Sequence, residues 1–259
     1  MTWSSGPAGL AVGLSTATVT APVGVSGAVF LLPVQLSVLG VPSPSVTPTN
    51  LLFNVVAGPG APPRCHRAGL LHEALTHRLV TGALPGVVIG AVVRVFAVPG
   101  AGVFRLLVAA LLPLDLRIVA RCIRPARRPS AAEPSPRAVT GPALAVGALG
   151  GIYGIGGGSV LGPVPVGRGM PVARVAPAAL ASTFATSVAG AAAFVLLSPT
   201  VSSDIAPDWY LGLACGLGGL IGGYLGARLQ PRVPETALRL LLGTLATLLG
   251  ALYAAQSLR

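Results

Sequence analysis

Two ten-residue stretches, GVSGAVFLLP at 24–33 and GIGGGSVLGP at 154–163, decide the fold. They align without a gap at an offset of 130 residues (154 − 24 = 130) and share two glycines and the final proline. Each lies in an apolar segment, 8–39 or 140–167, that is too long for one tidy membrane span. Glycine and proline interrupt helices. We therefore predict that each segment is a helical hairpin, broken at 24–27 or at 154–158.

The sequences that follow the two stretches repeat the same order of elements. An apolar helix that carries Ser, Thr or Asn residues comes next, with the sequence TNLLFNVVAG at 49–58 and ASTFATSVAG at 181–190. Two further apolar segments complete each half. We predict an all-α transmembrane bundle with an internal repeat. Its parts are a first repeat at 8–122, an Arg- and Pro-rich cytoplasmic linker at 123–138, and a second repeat at 139–257.

The composition requires an apolar solvent. Of the 259 residues, 53% are hydrophobic and only 9% are charged, whereas soluble domains carry about 25% charged residues. The formal charge of +11 comes entirely from arginine, because the chain has no lysine. These arginines lie in short connections between apolar segments, which is the usual orientation signal of membrane proteins. We therefore predict a multi-pass protein of the cell membrane that does not bind nucleic acid.

The arginine distribution predicts how the halves are oriented. If the first and fifth apolar segments are hairpins, the connections 64–78, 121–137, 168–174 and 228–239 all lie on one side, which the positive-inside rule makes cytoplasmic. Asp204 and Asp208 then lie on the other side. Each half makes an odd number of crossings, so the two repeats are inverted with respect to each other. The two repeats are inverted in this way whether the hairpin arms are re-entrant or span the whole membrane.

Helix breaks inside a membrane are candidate anion sites, because they expose backbone N–H groups at a helix N-terminus. Glycines there let an ion approach the backbone, and hydroxyl and amide side chains add donors. The predicted substrate-binding residues are Gly24, Ser26, Gly27, Asn50, Asn54, Gly156, Gly157, Gly158, Ser159, Ser182 and Thr183. The alternative is structural: membrane glycines serve close packing, and Ser or Thr hydroxyls bond their own helix.

The remaining polar residues suggest no chemistry. We find no nucleophile–base constellation, predict no cofactor and no metal site, and interpret His66, His72 and His77 with Glu73 as part of a solvated loop. The small-residue patterns of the seventh segment, such as Gly212 and Gly216, are interpreted as helix packing. Arg94 is expected to snorkel or pair at a helix end. The chain is therefore not predicted to be an enzyme.

The motif at 154–163, its weaker copy at 24–33 and the helices after them resemble the sulfite exporter TauE/SafE family of membrane permeases. The closing stretch from 222 to 239 is also similar to that family's final helix pair, so the resemblance covers about 8–257. It departs at Ala181-Ser182, where Thr-Ser is expected. The resemblance implies a permease that exports a small (organo)sulfur oxyanion, such as sulfite or a sulfonate, by alternating access.

Two other functions stay open at this stage. One is a membrane-embedded subunit or enzyme without transport activity, and the other is a passive channel. The predicted partners are a small anionic substrate and the lipid bilayer, and the sequence is compatible with a homodimer.

Overall fold

The computed structural model describes residues 5–61, 73–97, 136–167, 170–200 and 205–257, and all regular structure in these ranges is helical. Three of the described helices are long and apolar enough to cross a membrane: 74–96, 172–200 and 209–232. The prediction of an all-α protein with membrane-spanning helices is therefore confirmed at this level. Most of the predicted linker, 123–135, lies outside the described residues, as do His66 and His72.

The described residues of the first part of the chain form four α-helices. They are α1 (Ser5–Thr20), α2 (Ala28–Ser37), α3 (Ser43–Ala57) and α4 (Glu73–Phe96), with 3-10 turns at Ala21–Val23 and Gly58–Gly60. Pro22 lies in the first of these turns, where it helps to end α1. The long first apolar segment is thus interrupted between Thr20 and Ala28, at the residues where its glycines lie.

Within residues 136–167, 170–200 and 205–257, the second part forms six α-helices. They are α5 (Pro136–Tyr153), α6 (Gly157–Leu161), α7 (Pro163–Gly167), α8 (Val172–Leu197), α9 (Trp209–Leu229) and α10 (Glu235–Ser257), with 3-10 turns at Ser198–Thr200 and Gln230–Arg232. The interruption between α5 and α6 coincides with the glycine-rich stretch. α5 starts within the last three residues of the predicted linker.

Helices α1, α3 and α9 lie side by side and run in the same direction. Near their starts, Gly6 of α1 lies against the Tyr210 ring, and near their ends Gly226 lies against the Thr18 backbone. α3 runs parallel to α9, since Gly212 contacts Leu52 and Gly216 contacts Val56 one turn later. The residues that permit these close approaches are glycines, which confirms their interpretation as packing positions.

Helices α4, α5 and α8 form a second parallel group. Gly147 of α5 lies against the Ala83 backbone and Gly151 lies one turn further along, against Val87. Val87 also contacts Gly190 of α8.

The two groups meet in opposite directions along α3 and α8. Gly58, at the end of α3, lies against Phe184, whereas Leu51, nearer its start, lies against Gly190. Higher residue numbers of α3 therefore pair with lower numbers of α8, so these two helices are antiparallel.

The outer face of α9 is suited to lipid. Leu213, Leu217 and Ile221 are exposed large aliphatic residues spaced about one helical turn apart, while the ionisable Asp208 and Arg228 lie at opposite ends of the helix. A stripe of this kind would be unfavourable in water and is stable against hydrocarbon chains.

The prediction for Arg94 offered two alternatives, snorkelling or pairing at a helix end, and the structure excludes the first. Arg94 does lie in the last turn of α4, but its side chain does not snorkel outward, because only 2% of the residue is exposed. Its Nε donates to Thr47 Oγ1 at 3.2 Å, and Thr47 in turn donates to the Ile152 carbonyl at 3.0 Å. Tertiary packing of α3 against α4 and α5 thus draws the guanidinium inward.

Candidate functional site

The first break contains a left-handed glycine. Gly24 has φ +77°, and its N–H donates to Ala21 O at 3.1 Å, which closes the turn that ends the first arm. A side chain at this position would also meet Ala176 Cα at 2.5 Å. Glycine is therefore required here both by the backbone conformation and by the closeness of α8. α2 begins four residues later, and Ser26 Oγ accepts from its first N–H, that of Ala28, at 3.1 Å.

The second break is built in a similar way but is packed more tightly. Gly154 and Gly156 both have positive φ, and the Gly157 N–H at the start of α6 donates to Thr186 Oγ1 at 3.0 Å. A Cβ at Gly157 would meet Ala83 Cβ at 2.7 Å, and Gly158 lies directly on the Ala179 carbonyl. The glycines of this break therefore serve close packing against α4 and α8.

The two breaks, 130 residues apart in sequence, are in direct contact. The Ser26 N–H donates to Ser159 Oγ at 3.0 Å, which links the start of α2 to α6. Asn54 of α3 bridges the same region: its Oδ1 accepts from Ser26 Oγ, and its Nδ2 donates to Gly154 O at 3.3 Å. All of these side chains are buried, so each bond joins groups that have no access to bulk water.

A small cavity opens beside the first break. Its volume for water-sized molecules is about 40 Å³, which exceeds the roughly 10–15 Å³ needed by one water. α1, α3, α8, α9 and the first break all contribute to its walls. The polar wall residues are Thr20, Ser26, Asn54 and Thr183, and none of the lining residues that the structure describes is charged.

The predicted site residues divide between the cavity and its surroundings. Ser26, Gly27, Asn54 and Thr183 line the cavity. Ser159 lies next to it and contacts Thr183, with 3.2 Å between the two hydroxyl oxygens. The others form the surrounding structure rather than the cavity wall: Gly24, Gly156, Gly157 and Gly158 shape the breaks, Asn50 Nδ2 donates to Ala28 O at 2.9 Å, and Ser182 is fully buried in α8.

Sequence reasoning missed several cavity residues. Thr20 is the last residue of α1, and nothing in its neighbourhood marks it apart from the other hydroxyl residues of that helix. Phe53, Phe184 and Gly223 also line the cavity. Their positions depend on how α3, α8 and α9 pack, which no local sequence pattern reports. Within the described residues, no group of three His, Cys, Asp or Glu is placed to hold a metal ion.

These features define a helical membrane protein in which polar groups of two interrupted helices are gathered at a buried cavity. The chain belongs to the sulfite exporter TauE/SafE family, whose sequence profile matches residues 9–253, nearly its whole length. The protein is accordingly a membrane permease, and the resemblance drawn from its glycine motifs is confirmed. No curated protein and no solved structure gives a significant match to the chain.

Proposed function

We propose that the protein exports a small (organo)sulfur oxyanion, such as sulfite or a sulfonate, across the cell membrane by alternating access. The observation that carries this proposal is the meeting of the two breaks beside a neutral, polar cavity. Hydroxyl, amide and backbone N–H groups can replace the hydration shell of an anion there. An inside-negative potential would drive the anion outward, by about 2.3 kcal/mol per charge per 100 mV.

Alternating access rests on an inverted repeat, and the helix directions support one. α1 and α3 of the first half run parallel to α9 of the second, while α5 and α8 of the second half run parallel to α4 of the first. The antiparallel contact of α3 with α8 then gives the two halves opposite orientations. Because α1 and α3 run in the same direction, the chain between them must return, as a hairpin broken at Gly24 requires.

The orientation in the membrane follows from the arginines. We propose that the Arg-rich connections are cytoplasmic and that 8–122 and 139–257 form the two repeats. In a variant without native cysteines, single cysteines introduced at Arg127 and Asp204 are expected to react with an impermeant maleimide from opposite sides. Reaction of both from the same side would contradict the hairpin arrangement.

Transport is tested with the purified full-length protein in liposomes. Uptake of sulfite, methanesulfonate, sulfoacetate and sulfate is measured under an imposed potential, with protein-free liposomes as the baseline. We expect sulfite or a small sulfonate to move faster than the baseline. The Gly157→Leu variant, which places a large side chain against Ala83, is expected to abolish this flux. If no anion moves in the native protein, the alternative of a membrane subunit without transport activity replaces this proposal.

A further inference from the structure

Thr20 differs from three other hydroxyl residues of α1. Ser15, Thr16 and Thr18 each donate to the carbonyl four residues earlier, at 2.7–2.8 Å. This is the usual way for a helix in a membrane to satisfy a hydroxyl group. Thr20 Oγ1 forms no hydrogen bond, although the residue is only 1% exposed. A buried hydroxyl without a partner is unfavourable unless something else occupies its bonding position.

The unpartnered hydroxyl lies at the cavity beside the first break. Thr20 is part of the cavity wall, as are Ser26 and Gly27, which immediately precede α2. The cavity thus combines a free donor with the N-terminus of a ten-residue helix, whose dipole favours a negative charge. The two observations are independent, since one concerns a side chain of α1 and the other the start of α2.

The second break lacks this combination. Gly150, which aligns with Thr20 at the same offset of 130 residues, has no hydroxyl (150 − 20 = 130). The second break is also packed more tightly, since a Cβ on Gly157 would meet Ala83 Cβ at 2.7 Å. The two halves are therefore related in sequence but unequal as binding sites.

We propose that the first break alone binds the transported anion, with the Thr20 hydroxyl as a direct donor, and that the bound species is monovalent. This inference rests on the proposed transport function and specifies its substrate class. The expected ligand is hydrogen sulfite or a small alkylsulfonate rather than the sulfite or sulfate dianion.

The charge preference follows from the walls of the cavity. Its polar groups are hydroxyls, an amide and backbone atoms, and no lining residue within the described part of the chain is ionisable. The desolvation penalty of an ion rises with the square of its charge. The stabilisation that neutral hydrogen-bond donors give to the ion rises only about linearly with that charge. A site without a compensating cation therefore discriminates against dianions. The cavity volume of about 40 Å³ also favours the smallest members of the class.

The donor role is tested by removing the hydroxyl without changing the shape of the side chain. Thr20→Val is compared with Thr18→Val, which removes a hydroxyl of the same helix that is bonded to Leu14 O. Since a hydrogen bond to a charged group contributes about 1.5–3 kcal/mol, Thr20→Val is expected to raise the KM for sulfite at least roughly tenfold. Thr20→Ser is expected to keep a KM near that of the native protein, and Thr18→Val to leave it unchanged.

The charge preference is tested on the native protein, so its outcome does not depend on whether a variant folds. Methanesulfonate, a monoanion, and sulfate, a dianion, are compared as competitors of sulfite flux in liposomes. We expect methanesulfonate to inhibit at concentrations at which sulfate has no effect, and the KM expressed as hydrogen sulfite to stay constant as pH changes. Sulfite flux that is inhibited equally by sulfate, or that is equally unaffected by Thr20→Val and Thr18→Val, would overturn this inference while leaving transport itself established.

Discussion

Asn54 joins the two breaks through a single amide group, so its replacement by leucine tests the central contact directly. The amide accepts from Ser26 Oγ and donates to Gly154 O at 3.3 Å. Hydrogen bonds between membrane helices contribute about 0.6 kcal/mol on average and about 1.7 kcal/mol at most. Two such bonds give an expected destabilisation of about 1–3 kcal/mol for Asn54→Leu. Leucine has a similar volume, so the loss is attributable to the bonds.

Asn50 provides the matched control on the same helix. Asn50→Leu removes one bond, from Nδ2 to Ala28 O, but it also removes an Oδ1 that has no partner. Because an unsatisfied buried acceptor is itself unfavourable, the net loss for Asn50→Leu is expected to be smaller than for Asn54→Leu. Each variant introduces one leucine into α3, and the two positions are one turn apart. Any general effect of an added leucine on α3 is therefore common to both variants.

The assay is reversible unfolding by SDS in mixed micelles, followed by circular dichroism, which yields a free energy of unfolding. A double-mutant cycle with Ser26→Ala isolates the bond between Ser26 and Asn54, and its coupling energy is expected to be about 0.6–1.7 kcal/mol. A coupling energy of zero, or a loss for Asn54→Leu no larger than that for Asn50→Leu, would refute the view that this amide holds the breaks together.

Three further variants separate packing from transport. Gly222→Ala is expected to lower the thermal unfolding temperature, because its methyl group would meet the Leu14 carbonyl of α1. Gly223→Ala finds its nearest atoms 3.8 Å or more away and lines the cavity, so it is expected to keep the native unfolding temperature and to reduce sulfite flux in liposomes. Glu235→Ala removes the carboxylate that accepts from the Val172 N–H at 2.9 Å; since Glu235 is partly exposed, SDS unfolding is expected to show a loss of about 1 kcal/mol or less.

The interruptions of the two helices could be predicted from sequence because they depend on local backbone chemistry. Glycine in a long apolar segment marks the break, and Gly24 and Gly154 both adopt the positive φ that the residue permits. It could also be predicted that Ser26 and Asn54 each have a polar partner, because both side chains lie in otherwise apolar segments, where an unpaired amide is unfavourable. The backbone conformation of glycine and the unfavourable energy of an unpaired amide in a membrane thus determine the part of the site that the two motifs form.

The rest of the cavity depends on tertiary packing, which the sequence does not reveal. Thr20 looks like Thr16 and Thr18 in the sequence, and only the structure shows that its hydroxyl has no carbonyl partner. Small residues are ambiguous for a similar reason. Gly222 packs against a backbone while its neighbour Gly223 faces the cavity, and nothing in the sequence distinguishes them. Arg94 lies at a helix end as predicted, but burial against α3 prevents the outward snorkelling that is one of its two predicted arrangements.

The distribution of contacts also indicates where such a protein can move. Within each parallel group the backbones touch at glycines, as Gly218 does at Leu10 and Gly147 at Ala83, and such contacts resist separation. Between the groups, the breaks are joined by neutral bonds such as those of Ser26 and Asn54, each of which water can replace in a hydrated cavity. Under the proposed alternating access, rocking of one group against the other exchanges these hydrogen bonds for water. The first break also lies against Ala176 of α8, and Gly154 of the second break lies against Thr47 of α3, so each break contacts both groups at the junction between them.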